Sequence, residues 1–413
     1  MILFLSTNDT LGGAATVTYR LVEALRERSV DARMLVARKD SDAPWVARVT
    51  PWLHKAAKTA ERAEIFINNG FSMADLWAVS TARFGARVSR HPWVGEADVI
   101  VLGWVSQGFV SLGDIRRILA SGKRTVWMMH DLWRATGICH LPGSCRRYEE
   151  GCGRCPLLNW ERRRGDTSRL VWQRKANLLI DTPITYIAVS NSQRDAALRS
   201  PLMRHSRIEV LPHAFPVDLY TTKPTETCDA PFLNGLTGKK VIAMGAARLD
   251  DPIKDLPAAI DALNRLTDGY PELAAGCEAV FFGALRNPRA LDTLRLTHRH
   301  AGMLDSAQLR ELYARTSVVL STSKFETMGA TLMEGMAAGA TIVTFGGDGR
   351  NDIVTHGLDG YIADSGDTAA FARYIARALD RPFSRDAQHR SVASRFSSQA
   401  VAEKFLAIIG APQ

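Results

Sequence analysis

Two carboxylates eight residues apart, Glu326 and Glu334, stand in the stretch STSKFETMGATLMEGMAAGATIVTFGG, Ser321–Gly347. An apolar strand pattern ends at Ser321–Ser323, Glu326 follows on a loop, and Gly329 opens a helix that carries Glu334 two turns in. This order leaves the free N–H groups of Thr327, Met328, Gly329 and Ala330 facing one place, where a helix N-terminus would hold a diphosphate. Both carboxylates could then accept hydrogen bonds from sugar hydroxyls. Ala337, Ala338 and Gly339 are small enough for a tight turn into the next strand, which Gly346-Gly347 ends. A Glu pair at this spacing is, by itself, more often a pair of solvated charges. The strand, the glycine and the small-residue turn around it favour a binding site.

A phosphate that leaves with negative charge needs cations and N–H groups when no metal supplies the positive charge. Arg248 and Lys254 lie in GAARLDDPIK (245–254), just after the strand pattern Lys240–Met244. In the other half of the chain, His130 ends the strand pattern Thr125–Met129 and precedes Asp131. A lone histidine is usually structural, but one at the carboxyl end of a parallel strand faces the region where such sheets bind ligands.

A third constellation is GICHLPGSCRRYEEGCGRCP, with Cys139, Cys145, Cys152 and Cys155 spaced C-x5-C-x6-C-x2-C and His140 adjacent. Four thiols so close together, in a chain read as cytosolic, favour a structural Zn²⁺ site over disulfides. An iron–sulfur cluster, redox-active disulfides and the absence of any ligand are the alternatives. Cys228 and Cys277 read as ordinary unpaired residues.

The elements that would position these residues form two series. The first opens with a buried-strand pattern over Met1–Ser6, the pair Gly12-Gly13, an amphipathic helix over Ala14–Arg28 and a strand over Ala32–Val36. Strand, glycine turn, helix, strand is the βαβ unit of a parallel sheet. Further strands are expected at Val99–Leu102, Thr125–Met129 and Thr185–Val189. The second series runs through strands at Lys240–Met244, Glu278–Gly283, Val318–Ser321, Thr341–Phe345 and Gly360–Ala363. Its helices are expected at Leu256–Leu266, Ser306–Ala314 and Ala330–Ala338. Pro212–Gly238 holds four prolines and no periodicity, and reads as the linker. Asp386–Ile409 reads as one closing helix.

The stretch Ser321–Gly347 resembles the E-x7-E signature of retaining GT-B glycosyltransferases, family GT4. Gly12-Gly13 resembles that family's glycine loop after the first strand, and Gly245–Lys254 its Arg…Lys element. Residues 298–321 are similar to its G-x-L…L-x-x-x-Y…S run, Asp359–Ala363 to its NGxL turn, and His130 to the His of its T-x-H element. Trp127–Cys155 resembles the bacterial exopolysaccharide, capsule and colanic-acid-type members. The likeness covers most of the chain and is loose at 40–95 and 370–413. Gly103-Trp104 stands where that subgroup often has His-Trp.

The resemblance implies an α/β chain of GT-B fold, two doubly wound Rossmann-like domains facing a central cleft. Residues 1–212 would bind the acceptor and carry a Cys-rich insert at 139–155; residues 239–384 would bind the nucleotide sugar; 385–413 would be a helical segment closing the chain. Arg248 and Lys254 would bind the diphosphate with Gly12, Gly13, Thr327, Met328 and Gly329 nearby. Glu326 and His130 would contact the donor sugar and act in catalysis, and Glu334 would take the ribose hydroxyls. No Asp-x-Asp element of the kind used by metal-dependent GT-A transferases is read, so no catalytic Mg²⁺ or Mn²⁺ is expected. The implied reaction moves a sugar from a nucleotide-diphosphate sugar, the co-substrate, to a lipid-linked surface polysaccharide or lipopolysaccharide precursor. The alternatives are another GT-B enzyme, such as a sugar-nucleotide epimerase or a phosphorylase, and, remotely, a nucleic-acid binder built on a zinc knuckle.

Composition fits these expectations. The chain has 413 residues, 46% apolar and 23% charged, which excludes a collagen, a disordered chain and a multi-span membrane protein. Its apolar runs, such as Ala97–Val110, are broken by Asp98, Gly103 and Gln107, far short of the ~20 residues of a spanning helix. MILFLSTNDTLGG has no basic leader or small-residue cleavage site, so a cytoplasmic chain is expected. Residues 1–215 hold 31 Lys+Arg against 20 Asp+Glu, and the remainder 21 against 23. A basic first half suits an anionic partner. Arg162-Arg163-Arg164, Arg169, Arg174 and Lys175 with Trp160 and Trp172, and the basic amphipathic segment Trp52–Ile67, suit the inner leaflet of a membrane. A solvated helix face is the plain alternative. No nucleic-acid motif is present, so no nucleic-acid partner is expected.

Overall fold

The computed structural model describes residues 1–158, 166–225 and 230–410. Trp160, Arg162–Arg164 and Cys228 lie outside the described residues. The chain divides into two units, 1–214 with 401–413, and 215–400.

In the first unit, strand β1 (Ile2–Asn8) is apolar on both sides because it lies inside a parallel sheet with both faces covered. Leu3 and Leu5 enter one core, Ile2 and Phe4 the other. The remaining strands are β2 (Ala32–Arg38), β3 (Val46–Arg48), β4 (Val99–Leu102), β5 (Arg124–Met129), β6 (Thr185–Ala188) and β7 (Ile208–Val210). Their order is β3-β2-β1-β4-β5-β6-β7, all parallel. Leu5 pairs with Leu35 on one side and Leu102 on the other. The order reverses between β1 and β4, which makes their carboxyl ends the natural ligand site of this sheet.

The second unit repeats the plan with β8 (Lys240–Arg248), β9 (Cys277–Ala284), β10 (His298–His300), β11 (Thr316–Ser321), β12 (Thr341–Phe345) and β13 (Gly360–Ala363). The order is β10-β9-β8-β11-β12-β13, again all parallel, with the reversal between β8 and β11. Ile242 and Met244 face one core, Val241 and Ala243 the other. Two parallel doubly wound sheets, as expected, therefore make up the chain.

Two stretches differ from expectation. Residues 215–238 are no free linker: Phe215, Val217, Ala230, Leu233 and Leu236 are buried in a core of the second unit. The prolines there start short 3-10 turns, at Val217–Leu219 after Pro216 and at Pro231–Leu233, so missing periodicity did not mean missing burial. The end of the chain is two helices, Arg385–Phe396 and Ser398–Ile409, parted by the extended Ser397. The second of these puts Phe405 against Phe4, ring centroids 5.5 Å apart, in a core of the first unit.

Candidate functional site

In the second unit the carboxyl ends of β8, β11 and β12 carry the charged residues singled out above. Arg248 is the last residue of β8, and Lys254 sits in the loop beyond it. The Lys254 ammonium donates to Glu326 Oε1 at 2.7 Å, and the Ser323 hydroxyl donates to the same oxygen at 2.8 Å. Thr322 Oγ1 donates to the carbonyls of Lys254 and Asp255, which ties the two loops together. Arg248 does not join this pair; its guanidinium donates to Asp251 at 2.7 Å.

Beneath the pair lies a salt bridge that sequence reasoning did not pick out. Arg350 and Asp348 are both buried and joined in a fork, Nε to Oδ1 at 2.8 Å and Nη2 to Oδ2 at 2.9 Å. Asp348 accepts the Glu326 backbone N–H at 2.7 Å, and Arg350 donates to the Ser323 carbonyl at 2.6 Å. The fork thus fixes the loop 323–326 from below. The signal was the pattern Gly347-Asp348-Gly349: a Cβ at Gly349 would lie 1.9 Å from the Thr327 carbonyl oxygen, so only glycine permits this approach.

Gly329 adopts the left-handed conformation, φ 88, and heads the helix Ala330–Ala337, whose first turn has no side-chain cap. Its N–H groups therefore remain available to an anion. Within this helix Glu334 accepts the Tyr313 hydroxyl at 3.2 Å. Thr327 and Met328 lie between Glu326 and this helix, with Met328 buried. A separate cavity of about 720 Å³, lined by Tyr270, Glu272, Arg373 and Arg377, carries none of these residues.

In the first unit Gly12, φ 94, and Gly13 begin the helix Gly13–Glu27, again without a side-chain cap and with open space where side chains would stand. His130 follows β5 directly. Its Nε2 lies 3.1 Å from Thr18 Oγ1, while Nδ1 is buried without a partner. A second imidazole, His213, stands beside it with ring centroids 5.9 Å apart and Nε2 also unpartnered. Burial pushes His130 down to about 4, slightly opposed by the Asp131 charge. Burial, then His130 and Arg20, take His213 down to about 3. Both rings are neutral at physiological pH. His213 was not anticipated, since nothing near it in sequence marks it.

Asp131 is held by three donors: His140 at 2.7 Å, the Trp104 indole at 2.8 Å and the Trp133 backbone at 2.8 Å. Burial raises its carboxyl, but these hydrogen bonds together outweigh burial and keep it below the usual range. His140 is thus engaged through Nδ1, while its Nε2 is buried without a partner, and Trp104 acquires a role through its indole N–H. The literal Asp-x-Asp spacing does occur, at Asp40-Ser41-Asp42; there the Asp40 and Ser41 N–H groups donate to Asp9, and Asp40 also pairs with Arg38.

Cys139, Cys145, Cys152 and Cys155 are free thiols that line one cavity of about 50 Å³. Burial pushes Cys139 up to about 12 and Cys155 up to about 11. Lys175 corrects an expectation: it is no membrane contact but fully buried, because its ammonium bonds the Trp133 and Thr136 carbonyls. Trp172 is half-buried against a core, with Arg169 stacked on it at 5.5 Å. Among the described residues no helix is long and apolar enough to cross a membrane.

Residues 238–381, all within the second unit, match the family model described as "Glycosyl transferases group 1". A stretch of 108 residues is 30% identical to "Putative glycosyltransferase EpsD" of Bacillus subtilis (strain 168); it spans 25% of this chain and 28% of the length of that relative. Among solved structures, Anabaena Alr3699/HepE in complex with UDP and glucose is similar over 100% of this chain and 99% of its own, with TM-score 0.62 and 18% identity. The lipopolysaccharide outer core galactosyltransferase WaaB is similar over 99% of both chains, with TM-score 0.61 and 14% identity. WaaG, a glycosyltransferase involved in lipopolysaccharide biosynthesis, is similar over 99% of both chains, with TM-score 0.58 and 14% identity. The fold is accordingly the GT-B fold of these glycosyltransferases, and the family resemblance carried by the motifs stands.

Proposed function

We propose that this chain is a retaining glycosyltransferase that moves a sugar from a nucleotide-diphosphate sugar to a surface polysaccharide or lipopolysaccharide precursor. The observation that carries the reading is the pairing of Lys254 with Glu326 beside an uncapped, glycine-headed helix N-terminus. The bond broken would be that between the anomeric carbon and the β-phosphate oxygen, and the electron pair would leave with the phosphate. Lys254, Arg248 and the N–H groups of Thr327–Ala330 would stabilise that charge, which assigns the task to fixed cations and dipoles rather than to a metal. Glu326, oriented by Ser323 and the Asp348–Arg350 fork, would accept from the donor sugar, and Glu334 from the ribose. His130, neutral and with a bare Nδ1, would accept a hydrogen bond from a sugar hydroxyl. The acceptor oxygen would bond to the anomeric carbon on the face the phosphate leaves and give its proton to the departing phosphate oxygen, which gives retention.

The likeness to HepE, which binds UDP and glucose, and to WaaB and WaaG, glycosyltransferases of lipopolysaccharide synthesis, supports a UDP-sugar donor and a glycan acceptor. A lipid-linked acceptor is supported by the exposed apolar side chains Trp52, Ile67, Phe71, Met73 and Trp77 at and after the helix Pro51–Asn68, beside Lys55 and Lys58. Lys58 lies 5.2 Å over the Trp77 ring. Aromatic and basic side chains together suit an anionic lipid surface.

Calorimetric binding of UDP, GDP, ADP and dTDP in EDTA tests the donor site. One nucleotide should bind selectively, and Glu334→Ala should weaken it sharply. Equal affinity in the variant, or binding of none, would refute the assignment of this site.

A further inference from the structure

The backbone around the cysteine cluster is shaped to hold its thiols together. Gly137 N–H donates to Cys152 Sγ at 3.1 Å, and Cys155 N–H donates to Asp166 at 2.6 Å. A Cβ at Gly137 would come within 3.0 Å of Cys152 Cβ and 2.4 Å of the Ser168 carbonyl, so the backbone is shaped around this thiol. Cys139, Cys152 and Cys155 are buried and Cys145 half-buried, all four on the wall of one cavity. Among the described residues no three His, Cys, Asp or Glu side chains already converge as a metal cage, so binding would have to draw these thiols inward.

We infer that Cys139, Cys145, Cys152 and Cys155 bind a structural Zn²⁺ as a tetra-thiolate. Zn²⁺ takes four thiolates tetrahedrally; the four thiol protons leave on binding, and the centre carries two net negative charges. With all four positions filled by protein sulfur, no place is left for water, so the centre is structural. It would pin the loop 137–155 against the helix Thr167–Leu179. This inference does not depend on the proposed reaction.

The test uses the full chain purified under reducing conditions without chelator. Elemental analysis should find about one zinc per chain, with no iron or acid-labile sulfide. Replacement by Co²⁺ should give the intense visible bands of tetrahedral thiolate ligation. A chelator should expose four additional thiols to a colorimetric thiol reagent. Cys152→Ser should lose the metal and with it the tetrahedral cobalt spectrum. Folded metal-free protein that takes up neither ion would overturn the inference, as would disulfides in the reduced protein, iron with sulfide, or zinc retained by Cys152→Ser. The wild-type readouts decide the matter even where Cys152→Ser fails to fold.

Discussion

The two units solve opposite electrostatic problems at the carboxyl ends of their parallel strands. At the carboxyl ends of β8 and β11, opposite charges meet in reach of solvent: side chains of Lys254 and Glu326 are 30% and 21% exposed. In the first unit, at the end of β5, two imidazoles are kept neutral by burial, with no charged group bonded to either. The first arrangement suits holding an anion whose charge changes. The second suits hydrogen bonding to an uncharged hydroxyl. A parallel doubly wound sheet dictates where a site lies but leaves its polarity to a handful of loop residues.

If this contrast is right, substitutions in the second unit act on nucleotide binding and charge stabilisation, and those in the first on turnover and pH response. The largest effect should follow removal of the buried fork. Asp348→Ala leaves the Arg350 guanidinium buried without its partner, a loss of about 3–5 kcal/mol. Denaturant unfolding should record it in the second unit, together with lost nucleotide binding because Glu326 loses its backbone anchor. Unchanged stability would mean that the fork is no support. Next comes Lys254→Ala, which should lower kcat for sugar transfer about 10²–10³-fold, the usual cost of one charge-stabilising group. His130→Ala should be milder, on the order of tenfold in kcat for one lost hydrogen bond of about 1 kcal/mol. Nucleotide affinity measured by calorimetry should stay unchanged there. A drop in that affinity would collapse the division of labour between the units.

The contrast was only half legible in the sequence. The second unit's site was readable because it is local: Ser321–Gly347 carries strand, loop, glycine and helix in one stretch. The βαβ pattern of both sheets was likewise local. The three-residue strands β3, β7 and β10 were not seen, because edge strands that short have no period to read. The closing helices were read as one because Ser397 breaks them without glycine or proline. His213 was invisible because it lies far along the chain from His130, and only β6 and β7 bring the loop back. Lys175 was misread because a charge run looks solvated until the fold buries one member.

The finest test of the contrast is acid. His213 has an ordinary pKa of 6.5 that folding lowers to about 3, so between these values the unfolded chain takes up a proton that the folded chain refuses. Stability therefore falls with pH from 6.5 downward on this account, and the contribution is fully restored above 6.5. His130 adds the same sense of change between 6.5 and about 4. Carboxylates titrate in both units over part of this range, so the useful quantity is a difference. His213→Asn has no such proton to refuse. Its stability relative to wild type should rise by about 2 kcal/mol between pH 7 and pH 5, read as unfolding midpoints in denaturant at each pH. A gap that stays constant across that range would mean that the ring is hydrated and charges freely. The first unit would then hold a titrating site like any surface histidine, and the opposition between a charged and a neutral strand end would fail at its weaker half.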